Sequence, residues 1–458
     1  MSVPALPEGR LLSWYGDDYT GSAAVMEVLT FGGVDSVLFL DVPTPKQLGA
    51  FPNARAIGIA GVARSETPAW MDRHLPPIFS ALADFGPALA HYKVCSTLDS
   101  SPQIGSIGHA IDLVTPILGG EWVPALIAAP PMRRYQAFGH LFAGTGDGIY
   151  RLDRHPVMSR HPVTPMHESD VARHLALQTA KPTACIGLTQ LRGPDGGEEA
   201  LARLLQAGPA IVTLDSVDDA DLVAVGRLIW EHRGNRLLAV GSQGVEYALL
   251  AYWRSIGAIE APPPATSAGA VPQIVAVSGS VSPTTAEQIA WSSSNGFGLV
   301  ALAASRLIAD PDAETARTVE AAKAELSAGR SVLVHSARGP DDPAVAEFRT
   351  AVSSSSLDFA AANALIGTCL GRVLDRLLAE TFISRAVISG GDTSGHASQQ
   401  LGVHALTALA PTVPGAALCT AHRTDGTPLQ LALKGGQMGT SDYFGWIRDG
   451  GGPHNTMN

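Results

Sequence analysis

Short apolar runs alternate with amphipathic segments along nearly the whole chain, a pattern that predicts α/β layering with largely parallel sheets. In the first half, strands are expected at Leu11–Tyr15, Ser36–Leu40, Ala56–Ala60, Tyr92–Cys95 and Val123–Ala128, with helical spacing over Ser22–Phe31 and Ile104–Leu118. A further set follows at Ala184–Leu188, Ala210–Leu214 and Leu237–Val240, separated by helices over Glu198–Gln206 and Asp219–Glu231. Residues 261–270, Ala-Pro-Pro-Pro-Ala-Thr-Ser-Ala-Gly-Ala, then form the stretch richest in proline and small residues, which reads as a semi-stiff linker. Two domains are therefore expected, 1–262 and 271–458. Beyond the linker, strands are expected at Gln273–Ser278, Gly298–Leu302, Ser331–His335 and Arg385–Ser389. Leu370, Val373, Leu374, Leu377 and Leu378 recur at i, i+3, i+4, i+7 and i+8, giving the helix before the last strand one apolar face. No internal repeat stands out, and the polar, glycine-rich residues 449–458 are expected to be loose.

Composition narrows this picture. A chain of 458 residues exceeds one ordinary core, and 46% hydrophobic with 16% charged residues predicts a compact, globular protein. A net charge of -11 argues against nucleic acid or an anionic membrane surface as the main partner, yet leaves room for a small anionic substrate. No apolar run reaches membrane-spanning length and the N-terminus lacks a signal-like stretch, which points to a cytoplasmic protein. Cys95, Cys185, Cys369 and Cys419 are far apart, so neither a disulfide framework nor a zinc knuckle is indicated. His155, His161, His167 and His174 crowd one region, but prolines break it and the spacing suits no metal site; they read as surface or substrate-loop residues.

Candidate chemistry gathers where strands enter glycine turns. In the first half, Trp14-Tyr-Gly-Asp-Asp-Tyr-Thr-Gly-Ser22 has P-loop-like glycine spacing but no lysine, and two carboxylates that would repel a phosphate. Asp17 and Asp18 either complement the dipole of the following helix or accept a sugar hydroxyl and its proton. Arg64 follows a small-residue strand end, where a guanidinium suits a substrate carboxylate or is simply a surface group. Lys93, Ser96, Thr97 and Asp99 add a polar cluster suited to a polyhydroxylated ligand.

The second half repeats the grammar. Ile388-Ser-Gly-Gly-Asp-Thr-Ser-Gly-His396 runs from a strand through Gly390 and Gly391 into a helix start, where outward-pointing amides favour an anion. Asp392 suits a hydrated Mg2+ or a ribose hydroxyl there. Ser278, Gly279 and Ser280, then Gly415, then Lys434, Gly435 and Gly436 lie in comparable turns. At the carboxyl edge of a parallel sheet, such turns make a nucleotide plausible, with Lys434 to neutralise phosphate. G-x-S-x-G is absent, which lowers the hydrolase option. Gly144-Thr-Gly-Asp-Gly148 has no clear strand before it and the wrong final spacing for a dinucleotide fingerprint.

Taken in order, these motifs resemble those of the four-carbon acid sugar kinases, over nearly the whole chain. The resemblance implies two α/β domains, each a largely parallel sheet flanked by helices, with the active site in the cleft between them. It implies an N-terminal acid-sugar-binding domain and a C-terminal nucleotide-binding domain, with ATP and Mg2+ as cofactors; the sequence does not give the oligomeric state, for which a homodimer is the general expectation. By position, Asp17 and Asp18 would be catalytic, and Arg64, Lys93, Ser96 and Thr97 would face the sugar acid. Ser278, Gly279, Ser280, Gly390, Gly391, Asp392, Thr393, Gly415, Lys434, Gly435 and Gly436 would face the nucleotide. Members of the family typically carry Lys-Lys-Ile-Asp-Ser-Thr-Leu-Arg-Gly where this chain has Lys93-Val-Cys-Ser-Thr-Leu-Asp-Ser100, so Cys95 replaces an Asp and Asp99 an Arg. Exchanging a cation for an anion alters what the pocket can hold, so the resemblance implies ATP-dependent phosphorylation of a four-carbon 3-oxo-tetronate or tetronate, or of a branched relative such as 3-oxo-isoapionate. The rival expectation is a non-catalytic sensor that binds sugar acid or nucleotide without turnover.

Overall fold

The computed structural model describes residues 5–208, 210–262 and 264–454, with the side chain of Asp392 outside the described set. The chain divides into two compact units between residues 263 and 264.

In the first unit, β1 (Leu12–Gly16), β2 (Ser36–Phe39), β3 (Ala56–Ala60), β4 (Leu89–Lys93) and β5 (Val123–Leu126) begin the main sheet. A small antiparallel sheet follows, β6 (Arg134–Ala137), β7 (His140–Gly144) and β8 (Ile149–Arg151). The main sheet resumes with β9 (Thr183–Ile186), β10 (Ile211–Leu214) and β11 (Leu237–Gly241). Its order is β2-β3-β1-β4-β11-β5-β10-β9, parallel throughout. Both faces are covered, so these strands read as near-continuous apolar runs rather than alternating ones. The helix Pro68–Asp84 seats Met71, Leu75, Phe79 and Leu82 in the core with Tyr15, Tyr92 and Ile111.

The second unit holds β12 (Val275–Ser278), β13 (Phe297–Ala301), β14 (Ser331–His335), β15 (Arg385–Ser389), β16 (Val403–Pro411), β17 (Ala417–Arg423) and β18 (Leu429–Lys434). Their order is β13-β14-β12-β15-β18-β17-β16, with parallel pairing as far as β18 and antiparallel pairing beyond it. Helices Pro283–Ser293 and Tyr443–Arg448 pack Ile289, Tyr443, Phe444 and Ile447 against Ala276, Leu333, Val387 and Ala432 on one sheet face.

The two units share a local order: β2-β3-β1-β4 in the first matches β13-β14-β12-β15 in the second. In each, the first strand sits where succeeding strands diverge to opposite sides, which opens a crevice at the carboxyl edge.

Three expectations need correction. A strand, β7, does precede Gly144-Thr-Gly-Asp-Gly148, but it continues into the antiparallel β8 instead of a helix, so the run is a hairpin. Residues 449–452 are not loose: Gly452 N donates to Pro411 O at 2.7 Å, and Ala268 N donates to Gly450 O at 2.9 Å, tying this turn to the linker. His155 and His174 are buried rather than on the surface, because His155 Nδ1 accepts from the amides of Val157 and Met158 while His174 bonds Ser100. Among the described residues no helix is long and apolar enough to cross a membrane.

Candidate active site

Register places Gly16, Ala60, Lys93 and Gly241 in one row at the carboxyl edge of the first unit. Asp17 and Arg64 therefore leave adjacent strands beside Lys93, and the backbone fixes them: Asp17 N donates to Lys93 O and Arg64 N to Asp17 O, each at 3.0 Å. Arg64 Nη2 donates to Asp17 Oδ1 and to Asp18 Oδ1, both at 2.6 Å, and its Nε donates to Asp17 Oδ2 at 3.2 Å. Asp18 caps the helix Tyr19–Phe31 by accepting from Gly21 N at 3.0 Å and from the Thr20 hydroxyl. A β-carbon on Gly21 would stand 2.8 Å from Lys93 Nζ, so only glycine lets the ammonium approach the cap this closely.

These contacts separate the two carboxylates. Burial pushes the Asp17 pKa up, with the Asp18 charge adding to it, against the pull of Arg64 and Lys93. Burial also acts on Asp18, yet Arg64, Lys93, Thr20 and Gly21 outweigh it and hold that pKa below the ordinary carboxylate range. Asp17 is thus the more basic of the pair, the property a proton acceptor needs.

Beyond Lys93 the strand ends earlier than the apolar run suggests. Leu98 adopts φ +55° and its amide donates to Cys95 O at 3.0 Å, curling the loop while its side chain anchors in the core. Cys95 Sγ lies 3.0 Å from Thr97 Oγ1, which donates to Asp99 Oδ1 at 3.1 Å, with Ser96 half-buried between. Burial raises the Cys95 pKa, and the neighbouring Asp99 charge adds to it, so the thiol stays protonated. Arg134, which the sequence reading missed, lies within electrostatic reach of both Cys95 and Asp99.

In the second unit the corresponding row is His335, Ser278, Ser389 and Lys434. Four turns follow it, and they interlock. The Gly279 amide donates to Ser389 O at 3.2 Å and the Gly390 amide to Lys434 O at 2.9 Å. Gly390 has φ +122°, and a β-carbon there would lie 2.8 Å from Thr393 Oγ1; one on Gly279 would overlap the same hydroxyl, and one on Gly436 would overlap Ser280 Oγ. Thr285 Oγ1 and Ser282 Oγ donate to Gly436 O at 2.8 and 2.5 Å, binding the 435–439 turn to the helix Pro283–Ser293. Gly391 begins the helix Gly391–Gln400 and is exposed. Gly415, at φ +90°, turns between β16 and β17, whose register puts that turn at the same edge.

Lys434 is fully buried. Its Nζ donates to Gly435 O at 3.2 Å and lies 5.7 and 5.9 Å from the Tyr443 and Phe444 ring centroids. Among the described residues it forms no ion pair, and burial pushes its pKa down to about 7. A buried cation without an anion, ringed by small-residue turns, is set to receive one. The sequence reading placed Asp392 in this group; its side chain lies outside the described residues.

Comparison with known proteins follows the same division. A profile described as a sugar-binding N-terminal domain matches residues 12–249, and one described as a nucleotide-binding C-terminal domain matches residues 275–444. The chain is 46% identical over 456 residues to the 3-oxo-isoapionate kinase of Paraburkholderia graminis, covering 98% of this chain and 96% of that protein. It is 28% identical over 440 residues to the 3-oxo-tetronate kinase of Pseudomonas savastanoi pv. phaseolicola, covering 95% and 96%. Among solved structures, the Haemophilus influenzae protein HI1011 superposes with a TM-score of 0.70 at 22% identity, over 95% of this chain and 99% of that one, which speaks for the fold.

Proposed function

We propose that this chain, which belongs to the four-carbon acid sugar kinase family, phosphorylates a hydroxyl of a branched 3-oxo acid sugar of the 3-oxo-isoapionate type, using ATP. The observation that carries the substrate assignment is the full-length 46% identity to a 3-oxo-isoapionate kinase, well above the 28% shared with a 3-oxo-tetronate kinase. The Cys95–Thr97–Asp99 chain agrees with it, since a neutral thiol and an anion here present the sugar with different groups from the family's usual Asp and Arg.

In this reading the N-terminal domain, residues 1–262, would hold the sugar acid, and the C-terminal domain, residues 271–458, the nucleotide. Phosphoryl transfer asks the protein for positioning, charge neutralisation and a base. Asp17 would take the proton of the attacking hydroxyl, its basicity raised by burial and its position held by Arg64. Lys93 would supply positive charge for the sugar carboxylate, Arg64 would border the same site while holding Asp17 and Asp18, and Ser96 and Thr97 would bond hydroxyls. Gly279, Gly390, Gly391, Thr393, Gly435 and Gly436 would let the phosphates approach backbone amides, and Lys434 would offset their charge. Mg2+ would arrive on the phosphates and offset their charge, with the Ser280 and Thr393 hydroxyls available on this chain to hold it.

A sensor that bound only a sugar acid would explain the altered Cys95 and Asp99 positions but would have no use for a buried lysine among small-residue turns. Release of ADP from Mg-ATP on addition of a branched 3-oxo acid sugar tests the assignment.

A further inference from the structure

The hairpin strand β6 crosses the carboxyl ends of the first unit's main sheet and is pinned there at two points. Ala129 and Arg134 exchange backbone bonds at 2.9 and 3.2 Å, three residues beyond Leu126, which shares a row with Gly241 and Lys93. Gln136 and Ser216, just past β10, exchange theirs at 3.0 and 2.9 Å. Side chains two apart on a strand share a face, so Arg134 and Gln136 look the same way. Gln136 is fully buried and its Nε2 donates to Asp215 Oδ1 at 3.2 Å, which turns that face towards the strand ends.

Arg134 therefore overlooks the loop that leaves β4. Its charge reaches Cys95 and Asp99, and Cys95 in turn senses Asp99, Arg64 and Asp17, so Arg134 and the Arg64 cluster border the same thiol. Gly105 ties the two sides of this loop together: a β-carbon there would stand 2.5 Å from Arg64 O and 3.2 Å from Asp99 O.

The three cations of this edge use their donors differently. Arg64 spends Nε and Nη2 on Asp17 and Asp18. Lys93 Nζ donates to Val94 O at 2.8 Å and stands beside the Asp18 cap. Two cations thus face two carboxylates, and together they offer an incoming anion no net charge. Arg134 Nη1 is tied to the carbonyls of Met132, Arg133 and Gly144 at 3.1, 3.3 and 3.2 Å. Its Nε, however, is buried without a partner, and among the described residues its Nη2 makes no hydrogen bond and the guanidinium no ion pair. Nε and Nη2 are the edge with which Arg64 grips Asp17, and on Arg134 that edge is unspent. A desolvated charged donor without an acceptor is costly and asks for an anion.

We propose that Arg134 is a specificity-determining residue that binds the substrate carboxylate through Nε and Nη2, with Asp99 tempering that pull. The proposal rests on the sugar-acid reading of the first unit and names the group that recognises the acid. Lys93 adds charge to the same site, and Arg134 makes the directed contact. Burial pushes the Arg134 pKa down with Asp99 only partly opposing, as expected of a cation short of counter-charge.

Steady-state ADP release with 3-oxo-isoapionate and with its uncharged carboxamide separates this role from one of merely holding the hairpin. Arg134→Met is expected to raise the KM for the acid about 10- to 100-fold and to leave the carboxamide and ATP KM values nearly unchanged, erasing the preference for the carboxylate. Arg134→Lys, which keeps the charge but not the two-point edge, recovers part of that preference. Asp99→Asn leaves Arg134 in place and serves even where Arg134→Met does not fold. By removing an opposing charge, it should raise the carboxylate preference about two- to fivefold. Equal losses on acid and carboxamide in Arg134→Met overturn the proposal, as does an unchanged or lowered preference in Asp99→Asn, or a wild type indifferent to the carboxylate. A wild type that releases no ADP with 3-oxo-isoapionate or 3-oxo-tetronate removes the sugar-acid reading itself. Wild-type turnover with an undiminished carboxylate preference in Arg134→Met removes Arg134 alone.

Discussion

Arg64 grips Asp17 at two points, Nη2 to Oδ1 at 2.6 Å and Nε to Oδ2 at 3.2 Å, while the same Nη2 reaches Asp18 Oδ1. The guanidinium fork that the sequence suggested for a substrate carboxylate is thus occupied by the protein's own acids. It holds two adjacent carboxylates in one geometry. Arg64→Ala should therefore raise the sugar-acid KM by about tenfold or more, with little change in the ATP KM. Arg64→Lys should not restore the enzyme, because an ammonium cannot make the two-point contact. Steady-state kinetics with each substrate varied in turn provides the check.

The divergence between Asp17 and Asp18 predicts separable phenotypes. Asp17→Asn should lower kcat about 10²- to 10⁴-fold, the usual worth of a positioned base. It should also abolish the acid limb of the pH–rate profile, which falls as pH drops through the raised Asp17 pKa. Asp18→Asn retains a capping side chain, whereas Asp18→Ala loses the cap and should cost about 1 kcal/mol of stability. Rate profiles and thermal melts of the three variants distinguish these outcomes.

Lys434 is placed at the expense of stability. Its folded pKa of about 7 lies below the ordinary lysine value of roughly 10.4, so between those pH values the folded chain holds fewer protons than the unfolded one. Its penalty is complete below about pH 7 and is relieved as pH rises. Lys434→Met should consequently raise the Tm of the ligand-free protein, more at pH 6 than at pH 9, while weakening ATP. In the wild type, phosphate charge should draw a proton onto Lys434, giving net proton uptake on ATP binding at pH 8. Titration calorimetry in buffers of different ionisation enthalpy measures that uptake.

Gly279 and Gly390 both press on Thr393, and this makes the phosphate turns intolerant of a methyl group. Gly279→Ala should raise the ATP KM by about tenfold or more and leave the sugar-acid KM nearly unchanged.

The strands were legible where burial on both faces gave apolar runs, and Ala56–Ala60, Ser331–His335 and Arg385–Ser389 appear with the expected limits. The helix Pro68–Asp84 was obscured by Pro76 and Pro77, which its buried face of Met71, Leu75, Phe79 and Leu82 outweighs. The antiparallel strands β16 to β18 were read only as glycine turns, because their alternation is weak and their pairing is set by neighbours distant in sequence. At the site, residues next to glycine turns could be found because the turn itself is local. His335 and Arg134 could not: a lone histidine or arginine in a strand acquires meaning only when register brings Ser278, or the chain brings Cys95 and Asp99, beside it.

Transfer of phosphate from ATP to a branched 3-oxo acid sugar can be measured directly. ADP release should be measured with Mg-ATP against linear and branched four- and five-carbon sugar acids, with and without the 3-oxo group, for the wild type and for Cys95→Asp/Asp99→Arg. Turnover should be greatest on the branched 3-oxo acid and should shift towards the linear 3-oxo-tetronate in the double variant. Bound ATP with no ADP release across the whole panel would contradict it and favour a sensor.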